Sequence, residues 1–242
     1  MKKVFSLFLL SFFLVSLISA PGYGQKVSDF LEKMIKARGG RTALKNVKDI
    51  TFTGTMEMIA MGMSGSMAIY QKEPDKMRWD LDMAGMVFTR ATDGKIAWGT
   101  NFQTGGMEEL PEQEAAEFKR NALGYDSLLN PKKYGITYAL KGKKQIEGKD
   151  YLVLEQTHAD GHKVTHTIDS KTYLTYKTVT TAQGMMGGGE VEEENFLSDY
   201  KKVNGVMIAH TMNALQDGEQ VFTMSYTEVK LNTGLEDSLF KM

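Results

Sequence analysis

Methionine is the most prominent source of chemistry in this sequence. Of the 17 methionines, eight fall between positions 56 and 86: Met56, Met58, Met61, Met63, Met67, Met77, Met83 and Met86. Thioethers are soft ligands that select Cu(I). Met56-Glu57-Met58 and Met61-Gly62-Met63 have the Met-x-Met spacing that such sites use. On a strand this spacing puts both sulfurs on one face, about 7 Å apart. Met185-Met186, beside Gly187-Gly188-Gly189, are further candidates from a loop. Methionine is also unbranched and polarizable, so it adapts to irregular or changing apolar partners. That property suits a cavity wall that receives different hydrophobic ligands. Ordinary packing of a sheet face accounts for many of the eight.

The four histidines offer a metal site less readily. His158, His162 and His166 recur every four residues, but Asp160-Gly161 lies between the first two. That pair is a turn signal, so these are strand residues and not one helix face. A two-residue turn makes His158 oppose Lys163 and point away from His162. His162 and His166 then share a face about 13 Å apart, whereas zinc needs ligands about 2 Å from one ion. Rim or solvent-facing imidazoles are expected, with His210 structural, and no metal site.

Catalytic constellations are missing from the sequence. Cysteine is absent, which excludes a thiol nucleophile, disulfides and Cys-ligated metal centres. There is no Gly-x-Ser-x-Gly, no His-Glu-x-x-His and no phosphate loop. The expectation is therefore no enzyme, no catalytic residue and no cofactor. Lys plus Arg is 29 against 30 Asp plus Glu, a net charge of -1. That balance argues against nucleic acid as a partner, since such binding rests on clustered basic groups.

These side chains need elements to position them. Met1-Lys2-Lys3, an uncharged Phe- and Leu-rich stretch from Val4 to Ala20, and a small-residue exit through Gly24 read as a secretory signal peptide. Residues 1–24 are assigned to it, with cleavage after Gly24 and an uncleaved anchor as the alternative. Residues 25–242 form one domain, placed in the periplasm with no permanent membrane anchor after cleavage. Val27–Ala37 is an amphipathic helix stopped by Gly39-Gly40, and Thr42–Asn46 suggests a short helical turn. From Lys48 the period becomes two: Ile50, Phe52, Met56 and Met58 share one face, and Thr51, Thr53, Thr55 and Glu57 the other. Met77, Trp79, Leu81 and Met83 alternate with Lys76, Arg78, Asp80 and Asp82. Pro111–Leu123 reads as a helix with Ala115, Phe118, Ala122 and Leu123 in its covering stripe. Further strands follow through Glu147-Gly148, Asp160-Gly161, Asn204-Gly205 and Asp217-Gly218, all turn pairs. The acidic run Glu190–Glu194 is expected at a sheet edge, where charge deters edge-to-edge pairing. Roughly a dozen strands joined by short turns make a mainly β, α+β antiparallel meander. Few helices on so large a sheet leave room for an apolar cavity; a two-sheet sandwich would bury the same face without one.

Several segments carry a resemblance. They are Leu31–Lys45 with Ala37-Arg38-Gly39-Gly40, Pro74–Arg78, Asp93–Trp98, Glu109-Leu110-Pro111, Leu197–Met207, Val229–Asn232 and Asp237–Phe240. Together they resemble bacterial proteins described as outer-membrane lipoprotein-sorting proteins of the LolA/LolB-like superfamily, in its uncharacterised branch. Similar domains occur fused to insulinase-type peptidases. The resemblance implies an unclosed half-barrel. Its strongly curved antiparallel sheet has about eleven strands, and two or three helices cover the concave side. It also implies an apolar cavity for acyl chains.

The combined expectation is a periplasmic, non-catalytic carrier for lipid or acylated protein. Its cavity would be lined by Phe52, Met56, Met58, Met77, Trp79, Leu81, Met83, Phe88 and Trp98. Ala115, Phe118, Ala122 and Leu123 would form the lid. Lipid or lipoprotein acyl chains are the expected partners, with an inner- or outer-membrane acceptor protein. The alternatives are an envelope sensor or assembly module acting by protein contact, and a Cu(I)-binding Met-rich protein.

Overall fold

The structure, a computed structural model, describes residues 23–101, 103–184 and 189–242. Residues 1–22 of the expected export segment, and Met185 and Met186, lie outside the described residues. The first helix, α1 (Tyr23–Ala37), begins four residues earlier than its apolar stripe suggests, so the expected cleavage point after Gly24 falls within it. α2 (Arg41–Lys45) follows after Gly39-Gly40.

The two-residue periodicity translates directly into strands. β1 (Asp49–Met58), β2 (Met63–Lys72), β3 (Lys76–Met83) and β4 (Met86–Thr92) form successive hairpins. β5 (Ala97–Thr100) and the three-residue β6 (Met107–Glu109) extend them. α3 (Glu112–Asn121) and α4 (Tyr125–Leu129) then intervene. Seven strands return: β7 (Thr137–Ile146), β8 (Lys149–Thr157), β9 (Lys163–Asp169), β10 (Thr175–Gln183), β11 (Glu190–Val203), β12 (Val206–Gln216) and β13 (Glu219–Leu231). Both residues of Glu147-Gly148, Asn204-Gly205 and Asp217-Gly218 take positive φ, the backbone that matches the twist of a two-residue hairpin.

All thirteen strands belong to one antiparallel sheet ordered β6-β5-β4-β3-β2-β1-β13-β12-β11-β10-β9-β8-β7. The first and last strands pair at the middle, Ile50 opposite Leu231 and Met56 opposite Met224. This corrects the half-barrel expectation. Among the described residues there are thirteen strands, not about eleven, and they form an open sheet rather than a strongly curved half-barrel. β6 and β7 are its two free ends, and no ladder joins them. β11 is also not an edge: Glu193 and Glu194 are paired with β10 on one side and β12 on the other.

Helices cover one face of this sheet. Ile35, Leu44 and Val47 pack on Ile50, Val206 and Ile208. Phe30 and Met34 pack on Leu154 and Ile168. On the opposite face the C-terminal segment crosses β2 to β5. Lys72 donates to the Leu235 carbonyl at 2.6 Å, Arg78 to the Leu239 carbonyl at 3.2 Å, and the Trp98 indole to the Phe240 carbonyl at 3.0 Å.

Candidate functional site

The helix-covered face divides into two halves of different chemistry. The first spans β1 to β3 and β12 to β13. Register stacks Met67 beside Leu81 and Leu81 beside Phe88, while Met56 lies beside Met224 and Met224 beside Met212. Met56, Met67, Leu81, Met83, Ala214, Phe222 and Met224 are buried there, with Met58, Ile69, Trp79, Phe88, Met212 and Tyr226 packed against them. The Phe52 and Tyr226 rings lie 4.8 Å apart. Each buried apolar side chain in such a group contributes on the order of 2 kcal/mol. The Trp79 indole N–H is buried here with no hydrogen-bond partner.

The second half lies on β8 to β11 and is polar at the corresponding positions. One row across the sheet runs Leu154, His166, Thr178, Asn195, Ala214, Phe222 and Met58. The next carries Gln156, Val164, Thr180, Glu193 and Gln216. Gln156 joins two imidazoles: its amide nitrogen lies 3.0 Å from His158 Nε2, and its oxygen 2.9 Å from His166 Nε2. Thr180 Oγ1 lies 2.7 Å from His162 Nε2. Burial, aided by the nearby Arg38 and His158, pushes the His166 pKa down to about 3. His166 Nδ1 and Asn195 Oδ1 are buried and unpartnered. Such groups carry a desolvation cost of roughly 1–3 kcal/mol each.

The expected geometry of the histidines is corrected here. The turn after β8 holds three residues, so the His158 N–H donates to the His162 carbonyl at 2.8 Å. The two rings then lie within 6.0 Å of each other instead of pointing apart. His166 has its Nδ1 buried, while the ring keeps some accessible surface. His210 is buried as expected for a structural residue, with Nδ1 3.0 Å from the Ile208 carbonyl oxygen. Among the described residues no group of three His, Cys, Asp or Glu converges on a metal position.

α3 is tied to both flanks of the sheet. Arg90 on β4 pairs with Glu114 at 2.9 Å, and Gln71 on β2 donates to the Ala122 carbonyl. On the other side, the Gln183 N–H donates to Glu117 and Arg120 pairs with Asp160 at 2.6 Å. Phe118 and Ala122 are buried beneath it, while Ala115 and Leu123 are half-buried.

Several covered side chains are deep yet unsealed. Burial lifts the Tyr226 and Tyr138 phenols to about 12, the latter opposed by Arg38. Both, with Tyr125, Tyr200 and His166, nevertheless keep some accessible surface.

The sequence-nominated residues do not form one set. Met56, Met58, Trp79, Leu81, Met83 and Phe88 are brought together, with Phe52 joining through Tyr226. Met77 shares that face beside Gln71 and Thr92. Trp98 is set apart: its pairing with Ala91 puts it on the opposite face, under Phe240 and 5.9 Å from the Arg78 guanidinium. Met61 and Met63 are exposed rather than gathered with Met56 and Met58. Sequence reasoning missed the polar half and Arg38. Two open depressions lie elsewhere. One of about 380 Å³ lies between α1 and β7–β8, floored by Phe30, Leu140 and Leu152. The other, about 410 Å³, lies beside Thr53, Tyr70 and Asp80.

The fold recurs among solved structures. A putative outer membrane lipoprotein-sorting protein domain from Vibrio parahaemolyticus matches with TM-score 0.60 at 16% identity, covering 88% of this chain and 97% of that one. A DUF1329 family protein from Desulfovibrio piger matches with TM-score 0.61 at 14% identity over 89% and 97%. A LolA superfamily protein from Nitrosomonas europaea matches with TM-score 0.60 at 14% identity over 89% and 97%. The chain shares their fold. No protein-family profile matches the sequence, and no curated protein matches it.

Proposed function

We propose that this protein is a non-catalytic periplasmic carrier that holds the acyl chain of a lipid or acylated protein against its helix-covered sheet face. The observation that carries the reading is the set of apolar side chains on this face that keep accessible surface, Met58, Trp79, Phe88 and Tyr226, packed around the buried Met-rich cluster. Acyl burial there is worth roughly 0.8 kcal/mol per methylene, and methionine accommodates chains of different shape. α3 acts as the lid, with Phe118 and Ala122 as its inner surface. The likeness to a lipoprotein-sorting domain and a LolA superfamily protein supports this reading, and the amino-terminal segment supports export through a cleaved signal. Native mass spectrometry of gently purified protein tests it. An added mass that organic extraction removes and fatty acid restores is expected. A bare chain that takes up no fatty acid contradicts it.

A second reading has its own observation. Ile59, Met61, Met63, Met86 and Val87 are exposed together around the tips of the β1–β2 and β3–β4 hairpins. An assembly module acting by protein contact would use this apolar tip. Its partner would persist when Trp79 is made polar in a variant that still folds.

A further inference from the structure

The loop after α1 holds an arginine in an unusual setting. Arg38 donates from Nη2 to Thr175 Oγ1 at 3.2 Å, a neutral partner. Among the described residues no carboxylate pairs with it, whereas Arg41, Arg78, Arg90 and Arg120 each have one. Its position is fixed by backbone. The Met207 N–H donates to the Arg38 carbonyl at 3.0 Å. Gly39, at φ 123°, lies so close to the Gly205 carbonyl that a Cβ would sit 2.3 Å from that oxygen. The C-terminal end of α1 offsets part of the cost of holding a cation there.

The side chains around Arg38 are neutral hydroxyls and an imidazole. Tyr138 packs with Phe30 and Met34, and Tyr125 with Ile35 and Leu44, so both rings lie around the end of α1 that carries Arg38, near enough for its charge to act on them. Tyr200 donates to the Thr175 carbonyl at 2.7 Å. The hydroxyls of Tyr125 and Tyr138 make no hydrogen bond to any described residue. A half-buried guanidinium with spare N–H groups, near two phenols that make no hydrogen bond among the described residues, matches the oxygens of a carboxylate or phosphate.

We propose that Arg38, with the hydroxyls of Tyr125 and Tyr138, is an anion subsite that receives the charged head of an acyl ligand lying on the sheet face. This rests on the carrier reading and narrows its cargo to anionic amphiphiles. Neutral lipids of the same chain length bind more weakly.

The test compares cis-parinaric acid with its methyl ester, titrated by fluorescence into the full chain, with inorganic phosphate titrated separately against tyrosine emission. The acid is expected to bind about ten-fold or more tighter than the ester to the wild type, the difference a charge-assisted pair supplies. Arg38→Met, which keeps the aliphatic stem, removes the difference, and Arg38→Lys restores part of it. Thermal melts confirm that each variant is folded. If Arg38→Met does not fold, Arg38→Lys and a Tyr125→Phe, Tyr138→Phe double variant carry the comparison. Equal affinity for acid and ester in the wild type overturns the subsite while leaving the carrier reading intact. Phosphate binding that depends on Arg38, without uptake of either lipid, keeps an anion site but overturns both the lipid head as its ligand and the carrier reading. No binding of any of the three overturns both proposals.

Discussion

The two halves of the helix-covered face use the same strand geometry for opposite purposes. On β1 to β3 and β12 to β13 the covered positions are mainly Met, Leu, Phe and Trp, and the Trp79 indole N–H is their one buried unpaired polar atom among the described residues. On β8 to β11 His, Gln, Thr and Asn stand among the apolar Leu154, Val164 and Ile168, linked from Gln156 to His158 and His166 and leaving two atoms unpaired. Apolar burial is non-directional and tolerates a changing partner. A buried polar network is directional, and each atom left unmade is a standing cost. The difference teaches that stability and adaptability reside in the first half, and orientation of a bound polar group in the second.

The sharpest way to break this comparison is to truncate one member of each half. Met56 is 1% exposed, so Met56→Ala should lower unfolding free energy by about 3 kcal/mol, measured in urea. His166→Leu should cost only about 1 kcal/mol. Gln156 keeps its contact with His158, and an unpartnered nitrogen is removed. Equal losses would mean that the polar half is as structural as the apolar one.

Gly39 tests whether the helices over this face need fixed seating. Gly39→Ala should destabilise by about 2 kcal/mol, because a new Cβ meets the Gly205 carbonyl and the backbone has positive φ. A neutral effect in the same denaturation experiment would show that the loop can shift.

The pH dependence separates the halves again. Below pH 6.5 the unfolded chain protonates a histidine that the folded chain keeps neutral until about pH 3, where burial has pushed the His166 pKa. Stability present above pH 6.5 should therefore be lost as pH falls, by up to about 1.4 kcal/mol per unit from this residue. Burial lowers His158 and His162 in the same direction. Glu73 and Glu117, raised by burial, act oppositely near the carboxylate range. Denaturation at pH 5 to 7.5 should show a flatter slope in His166→Leu and an unchanged slope, on a lowered curve, in Met56→Ala.

The smallest effect belongs to the lid's polar attachment. Asp160 is half exposed, so Asp160→Asn should change stability by under about 1 kcal/mol. A faster off-rate for bound fatty acid with little change in stability would mark α3 as a gate.

The apolar half was legible in the sequence because alternation of Met77, Trp79, Leu81 and Met83 with charged residues is a direct signature of a half-covered strand. The polar half was not. Gln156, His166, Thr178 and Asn195 alternate as a solvent-facing row would, and only the assembled sheet brings them into one half-buried row. Trp98 was assigned to the wrong face for a related reason. Its strand is four residues long, too short to show which phase is covered, and the segment above it comes from the far end of the chain. The Asp160-Gly161 signal marked the turn but not its length, and one extra residue brought the His158 and His162 rings within 6.0 Å of each other. Arg38 was visible only as the residue before a helix stop. Its lack of a carboxylate partner depends on how distant segments assemble.

The two tryptophans, Trp79 on the helix-covered face and Trp98 on the other, provide the most direct test of the central claim. Each can be isolated by changing the other to Phe, and a brominated fatty acid quenches an indole only at close contact. Saturable quenching of Trp79 emission with Trp98 left bright is the predicted result. Trp98 quenched as strongly as Trp79, or neither quenched at saturating ligand, would contradict the placement of an acyl chain on this face.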